Sequence, residues 1–133
     1  LGDGIIIKTG KLNHPNGACG YRIEYGGKVL SICTDTEHYE GKLDEDVMAL
    51  ADNADVMIYD SAYTDDEYPK FKGWGHSTWQ EALKIAEAAN VSKTFLFHHD
   101  PSHNDDRMDQ IADEAAAVNS NARPAIEGEE ITL

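Results

Sequence analysis

Imidazole and carboxylate groups in this chain gather beside its apolar runs. His14 follows Leu12-Asn13 and precedes Pro15, just ahead of a strand-like segment. Asp35 comes directly after the apolar residues 29–33, within Thr34-Asp35-Thr36, and Asp60 closes the run 56–59. His76 ends a long loop, and His98 and His99 follow the run 94–97 in His-His-Asp-Pro. Neutral imidazole nitrogens and carboxylates are the donors that borderline divalent metals prefer, and one carboxylate can bridge two ions. The ends of strands, with their adjoining loops, are where α/β sheets place ligand crevices. A single histidine or aspartate there ordinarily makes a structural hydrogen bond or forms a turn. It is the joint pattern that calls for a common explanation. His38 and His103 lie in polar loops and are read as structural.

The elements that must position these groups follow from periodicity. Residues 5–8 form a short β-branched run. Residues 20–25 and 28–33 read as two strands joined by Gly26-Gly27 in a tight turn. Residues 44–50 suggest a short helix capped by Asp44, with Val47, Leu50 and Ala51 inward. Residues 56–59 make a brief strand ending at Asp60. The stretch 61–75, with Pro69, Gly73 and Gly75, is too long and aperiodic for an ordinary connection, and such loops usually carry function or disorder. A helix is expected from Ser77, where Ser77-Thr78-Trp79-Gln80 has capping-box spacing, with Trp79, Ala82, Leu83, Ala86 and Ala89 on its apolar face. A strand at 93–97 and a helix at 105–118, with Met108, Ile111, Ala112 and Ala115 inward, come next. Two short strands, near 123–126 and 130–133, are expected to flank a turn at Gly128. Strands first and strand–helix alternation afterwards imply an α/β architecture with helices layered on a sheet.

Composition narrows the function classes. The chain has 133 residues, about one domain or less. Acidic residues outnumber basic ones 25 to 11, for a net charge of −14, and no Lys/Arg cluster relieves this, so nucleic acid is an unfavoured partner on charge. No apolar run is long enough for a membrane span and no signal-peptide pattern is present. The two cysteines, Cys19 and Cys33, lack paired metal or redox spacing and are expected reduced and packed, in a cytoplasmic protein. The chain opens on Leu1 rather than Met, from which a preceding segment is expected.

The order of these segments resembles the metallo-β-lactamase superfamily, and within it the ribonuclease Z-like phosphodiesterase branch. Leu12-Asn13-His14-Pro15 leads to Gly20-Tyr21-Arg22-Ile23 and then to Thr34-Asp35-Thr36. The strand ending at Asp60, the segment Gly75-His76-Ser77-Thr78, the strand ending Leu96-Phe97-His98, and Ala125-Ile126-Glu127-Gly128 follow in that branch's order. The resemblance covers nearly the whole chain. It implies half of a four-layer αββα sandwich, a mixed sheet with helices on one face. It assigns His14 as a ligand to one metal, His98 as a ligand to the other, and Asp35 as the carboxylate bridging both. His76 would be a non-ligand catalytic histidine beside the scissile group, oriented by Asp60. His99 departs from the branch. Neighbours on a strand point to opposite faces, so only one of the pair is expected to reach the site. His98 continues the alternation and is the choice, with His99 as the alternative.

The branch's His-x-His-x-Asp-His signature, which supplies most of the ligands from the N-terminal half, is absent from residues 1–133. Three ligands shared by two ions cannot hold both, since each wants about four donors. The chain is therefore expected to be the C-terminal half of the hydrolase domain, inactive alone. An exposed apolar sheet face should be covered by the N-terminal half or by another copy of the chain. The complete protein would use two divalent metal ions, zinc first and manganese or iron as alternatives, with a bridging hydroxide attacking the substrate. The acidic surface favours a small phosphodiester. Two rival readings remain: a non-catalytic binding or structural member of the same fold, and a receiver-like signalling domain built around Asp60.

Overall fold

The computed structural model describes residues 2–133. Strands β1 (Ile6–Leu12), β2 (Ala18–Tyr25) and β3 (Lys28–Cys33) form an antiparallel meander. The β2–β3 link is the expected two-glycine turn: Tyr25 pairs with Lys28, and Gly26 and Gly27 have φ of 58° and 79°. Both central residues of such a turn need positive φ, which glycine adopts without a steric cost.

From β3 onward the pairing is parallel, through β4 (Val56–Asp60), β5 (Lys93–Phe97) and β6 (Ala122–Pro124). The crossovers carry helices α1 (Glu45–Ala51), α2 (Trp79–Ala88) and α3 (Asp105–Val118). The six strands lie side by side in sequence order. Successive parallel crossovers in one direction, ordinarily right-handed, put every helix on the same face. The core follows suit. Leu12, Cys33, Met57, Tyr59 and Leu96 project from the sheet against Val47 and Leu50 of α1, Ala82 and Ile85 of α2, and Ile111 and Ala115 of α3. In α3 the face is narrower than its sequence suggests: Met108 and Ala112 are only half-buried.

Gly10 and Gly20 sit opposite each other on β1 and β2, where Leu50 of α1 rests on the sheet. A Cβ on Gly20 would lie 2.6 Å from Leu50 Cδ1 and 3.1 Å from the Ile32 carbonyl oxygen. Gly20→Ala should therefore lift α1 from the sheet and cost about 1–3 kcal/mol, the range for overpacking a filled core. Urea denaturation would measure it, and an unchanged midpoint would show that Leu50 repacks freely.

The opposite sheet face has no helix. Tyr21 and Phe97, on β2 and β5, are 43% and 46% exposed, and Ile23, Leu30, Ile32 and Ile58 between them are half-buried. This is the open apolar face expected from the sequence. Cys19 also lies on it, exposed rather than packed, whereas Cys33 is buried on the helix side. No helix among the described residues is long and apolar enough to cross a membrane.

Two local expectations, the cap of α2 and the closing hairpin, need correction. Helix α2 is capped by Thr78, not Ser77: the Thr78 side chain accepts from the Glu81 backbone N–H. Ser77 is engaged elsewhere, with its N–H on Asp60 and its hydroxyl against His38 Nδ1 at 2.9 Å. The loop 61–75 is ordered, with Tyr63 stacked on Phe71 and a short 3-10 turn at Tyr68–Lys70. The closing hairpin does not form. β6 stops at Pro124, although the Ala125 N–H still donates to the Leu96 carbonyl at 2.8 Å; on the outer edge the proline offers no N–H to a returning strand. Residues 130–133 are irregular, and the turn at Gly128 is held by an Arg123–Glu129 ion pair.

Candidate metal centre

The parallel register brings the C-terminal ends of β3, β4 and β5 to one edge, and the β1–β2 turn and the loop 61–75 reach over it. Asp35 and His98 leave their strand ends with φ of 60° and 65°. Non-glycine residues rarely hold this left-handed backbone, although Asp and His tolerate it better than most. Such outliers concentrate where a side chain must be aimed. For His98 the turn replaces the strand alternation expected from the sequence. β5 ends at Phe97, and continued alternation would have sent residue 98 after Leu96 towards the helices.

His14, Asp35 and His76 each offer one ligand-type atom, and these atoms lie within 4.8 Å of one another. Asp60, His76 and His98 do the same. His98 Nε2 is 4.0 Å from Asp35 Oδ1. The His76 ring stacks on His98 at 4.6 Å between centroids and meets His14 edge-on at 5.7 Å. All five residues singled out from the sequence are thus brought together. His99 is not among them. Its two ring nitrogens are buried without a hydrogen-bond partner; burial lowers its pKa against a weaker opposing pull from the nearby Leu96 and Ser61 backbones.

Asp60 differs from the rest. It is fully buried, and its carboxylate accepts five hydrogen bonds. Oδ2 takes the Asp35 and Thr36 N–H groups at 3.0 and 3.3 Å and His76 Nδ1 at 2.8 Å. Oδ1 takes the Ala62 and Ser77 N–H groups at 3.3 and 3.1 Å. With its lone pairs so engaged, this carboxylate is a hub that fixes other groups, not a free ligand. Asp35, by contrast, accepts no hydrogen bond among the described residues, and its carboxylate is only half-buried. His14 Nδ1 accepts from the Asn16 N–H at 3.3 Å; ligation through Nε2 would require the ring proton to move to Nδ1 and this hydrogen bond to give way.

The hydrogen bond that His76 Nδ1 donates to Asp60 raises the His76 pKa; burial opposes it, and the charges of Asp60, Asp35 and Glu37 reinforce it. A raised folded pKa means that protonation favours the folded state. That stabilisation is fully present below the ordinary value of 6.5 and is lost as pH rises through the higher folded value. An NMR titration of the His76 ring in the metal-free protein should show a midpoint above 6.5; one at or below it would contradict the pairing.

Two participants left no mark in the sequence. Glu37, 7% exposed, accepts from Tyr68 Oη, Gly73 N and Gly75 N at 2.6, 2.7 and 3.0 Å. Burial alone would raise its pKa, but these donors outweigh it and hold the carboxyl below the usual glutamate value. His38, in its polar loop, packs on Tyr68 and bonds Ser77. His103 is structural as expected, paired with Glu67.

The fold is that of metallo-β-lactamase-type proteins. A metallo-β-lactamase fold protein, YhfI from Bacillus subtilis, superposes with a TM-score of 0.76 at 24% identity, over 97% of this chain and 49% of that one. Human tRNase Z, short form, does so with a TM-score of 0.72 at 20% identity, over 99% of this chain and 44% of that one. The chain belongs to the β-lactamase superfamily, whose domain model matches residues 5–99. Its relatives include ribonuclease Z of Gemmatimonas aurantiaca, 32% identical over 132 residues, covering 99% of this chain and 40% of that protein. Ribonuclease Z of Listeria monocytogenes is 30% identical over 99 residues, covering 74% of this chain and 31% of that protein. The chain spans two fifths or less of the length of these two curated relatives.

Proposed function

We propose that this chain is the C-terminal half of a metal-dependent phosphodiesterase domain and supplies part of a two-metal site. The observation that carries the reading is the convergence of His14, Asp35, His76 and His98, with an uncommitted carboxylate on Asp35, at one edge of the sheet. Neutral imidazoles around an uncommitted carboxylate are a donor set that suits zinc, with manganese or iron as alternatives. The remaining ligands come from an N-terminal half bearing His-x-His-x-Asp-His, whose own sheet covers the open apolar face. The shorter span of this chain relative to its curated relatives supports that division. The exposed thiol of Cys19 and the buried one of Cys33 fit a cytoplasmic setting.

Divalent ions held there would act as Lewis acids towards a phosphoryl group. The chain's own residues do the rest. His14 and His98 each offer one ring nitrogen, and Asp35 offers its two carboxylate oxygens from a backbone already turned towards the site. Asp60 holds the His76 imidazole in place and favours its protonated form. From there His76 steadies charge that develops on the phosphoryl oxygens, or passes its proton to the leaving oxygen. Trp74, 63% exposed and edge-on to Phe71, forms the outer end of an aromatic wall that continues through Tyr63 to His76.

The acidic surface, which disfavours nucleic acid on charge, does not set an RNA substrate aside, because relatives matching most of this chain carry the name ribonuclease Z. The reaction class is therefore phosphodiester hydrolysis, on either a small diester or an RNA. The test is hydrolysis of bis(p-nitrophenyl) phosphate and of a structured RNA by the full-length protein with zinc, each with and without chelator. Chelator-sensitive cleavage of either diester is expected. Activity confined to carboxylic esters or lactams would refute the assignment.

A further inference from the structure

Glu37 ties together the three segments that carry His14, Asp35 and His76. Its backbone N–H donates to the Asn13 carbonyl at 2.8 Å, and Asn13 Nδ2 donates back to the Glu37 carbonyl at 2.8 Å. This pins it to the β1–β2 turn, one residue from His14. It also stands two residues after Asp35, on the same connection out of β3. Its carboxylate, meanwhile, gathers Tyr68, Gly73 and Gly75 from the loop that leads into His76.

Burying a carboxylate is costly unless donors replace water, and an apolar side chain would fill the same space more cheaply. What the carboxylate adds is direction. Between the 3-10 turn at Tyr68–Lys70 and the start of α2, the backbone bonding of residues 73–76 within the loop is a single turn, Trp74 N–H to the Phe71 carbonyl at 3.1 Å, and Asp60 holds only the far end at His76 and Ser77. The loop is also pressed hard against the site. Gly75 has φ of 94°, and a Cβ there would fall 2.3 Å from His14 Cδ2, so its backbone rests on the imidazole itself. A shift of this segment therefore moves His14 and His76 together.

We propose that Glu37 is a positioning residue: its carboxylate clamps residues 68–75 onto the His14 turn and so sets the spacing of His14, Asp35 and His76. The idea borrows the metal reading only for its consequence, since the clamp itself is a matter of hydrogen bonds. Glu37→Gln keeps the size of the side chain but turns one acceptor into a donor facing other donors.

The test has two arms on the full-length protein, wild type and E37Q. Hydrogen exchange in the metal-free protein should quicken about tenfold in peptides covering 68–76, the scale of a lost charge-assisted hydrogen bond, while peptides from β4 and β5 change little. Visible absorption after adding cobalt(II) alone should change in band position or intensity, because the ligand geometry around His14 and Asp35 is altered. Equal acceleration across all peptides would make Glu37 a general stabiliser and overturn the proposal. An unaltered cobalt spectrum with a loosened loop would overturn it too, since the spacing would then not depend on the clamp. If E37Q does not fold, Tyr68→Phe, which deletes a single donor, must show the same localised pattern in smaller measure. If wild type takes up no cobalt, the metal reading fails while the exchange arm still judges the clamp.

Discussion

His76→Ala in the full-length protein should lower phosphodiester turnover by roughly 10²- to 10⁴-fold and leave its metal content unchanged. The argument rests on the state of the ring. Nδ1 lies 2.8 Å from the Asp60 carboxylate, which cannot move because four backbone N–H groups also hold it. The pairing raises the pKa of the imidazole, and a protonated ring has no lone pair to give a metal. A different geometry competes for the same atoms. Metal-ligating histidines are commonly held by a carboxylate on the far nitrogen, and His76 has a ring nitrogen within 4.8 Å of donors on His14 and Asp35. Elemental analysis separates the two. Loss of one metal equivalent in the variant would make His76 a ligand and remove it from the acid role.

Asp60→Ala should be the most damaging substitution for folding, costing about 3–5 kcal/mol, as for other buried charged hubs that lose one partner. The side chain is fully buried, and its removal strands the N–H groups of Asp35, Thr36, Ala62 and Ser77 together with His76 Nδ1. These belong to the ends of β3 and β4 and to the entry of α2, so the loss falls on the segments that aim Asp35 and His76. Denaturant unfolding of the variant measures the cost. A loss below about 1 kcal/mol would mean that water satisfies the stranded donors and that Asp60 is no hub.

What the sequence made legible follows from which interactions are local. The β2–β3 hairpin was readable because Gly26-Gly27 can adopt the turn and the flanking runs have strand composition. Helix α1 was readable because Asp44 caps it within three residues. At the start of α2, two hydroxyl residues competed for the cap. Only tertiary structure reveals that Ser77 is already engaged by Asp60 and His38, which leaves Thr78 for the role. The C-terminal hairpin failed for a related reason: apolar residues on both sides of Gly128 were visible, but Pro124 on the outer edge of the sheet has no N–H for a returning strand to pair with.

The site shows the same division. Residue types and their order singled out His14, Asp35, Asp60, His76 and His98, because strand ends in a layered α/β sheet share one edge. The left-handed turns at Asp35 and His98 were not visible, since both residue types also occupy ordinary backbone. Nor was Glu37. One acidic residue among 25, with partners 31 to 38 positions away, has no local signature.

Anomalous diffraction at the zinc edge from crystals of the full-length protein grown with zinc tests the central claim most directly. Two peaks are predicted, both at about 2.0–2.2 Å from an Asp35 carboxylate oxygen, one also bonded to a His14 ring nitrogen and the other to one of His98. Zinc bound only elsewhere, or peaks that leave Asp35 untouched, would contradict it.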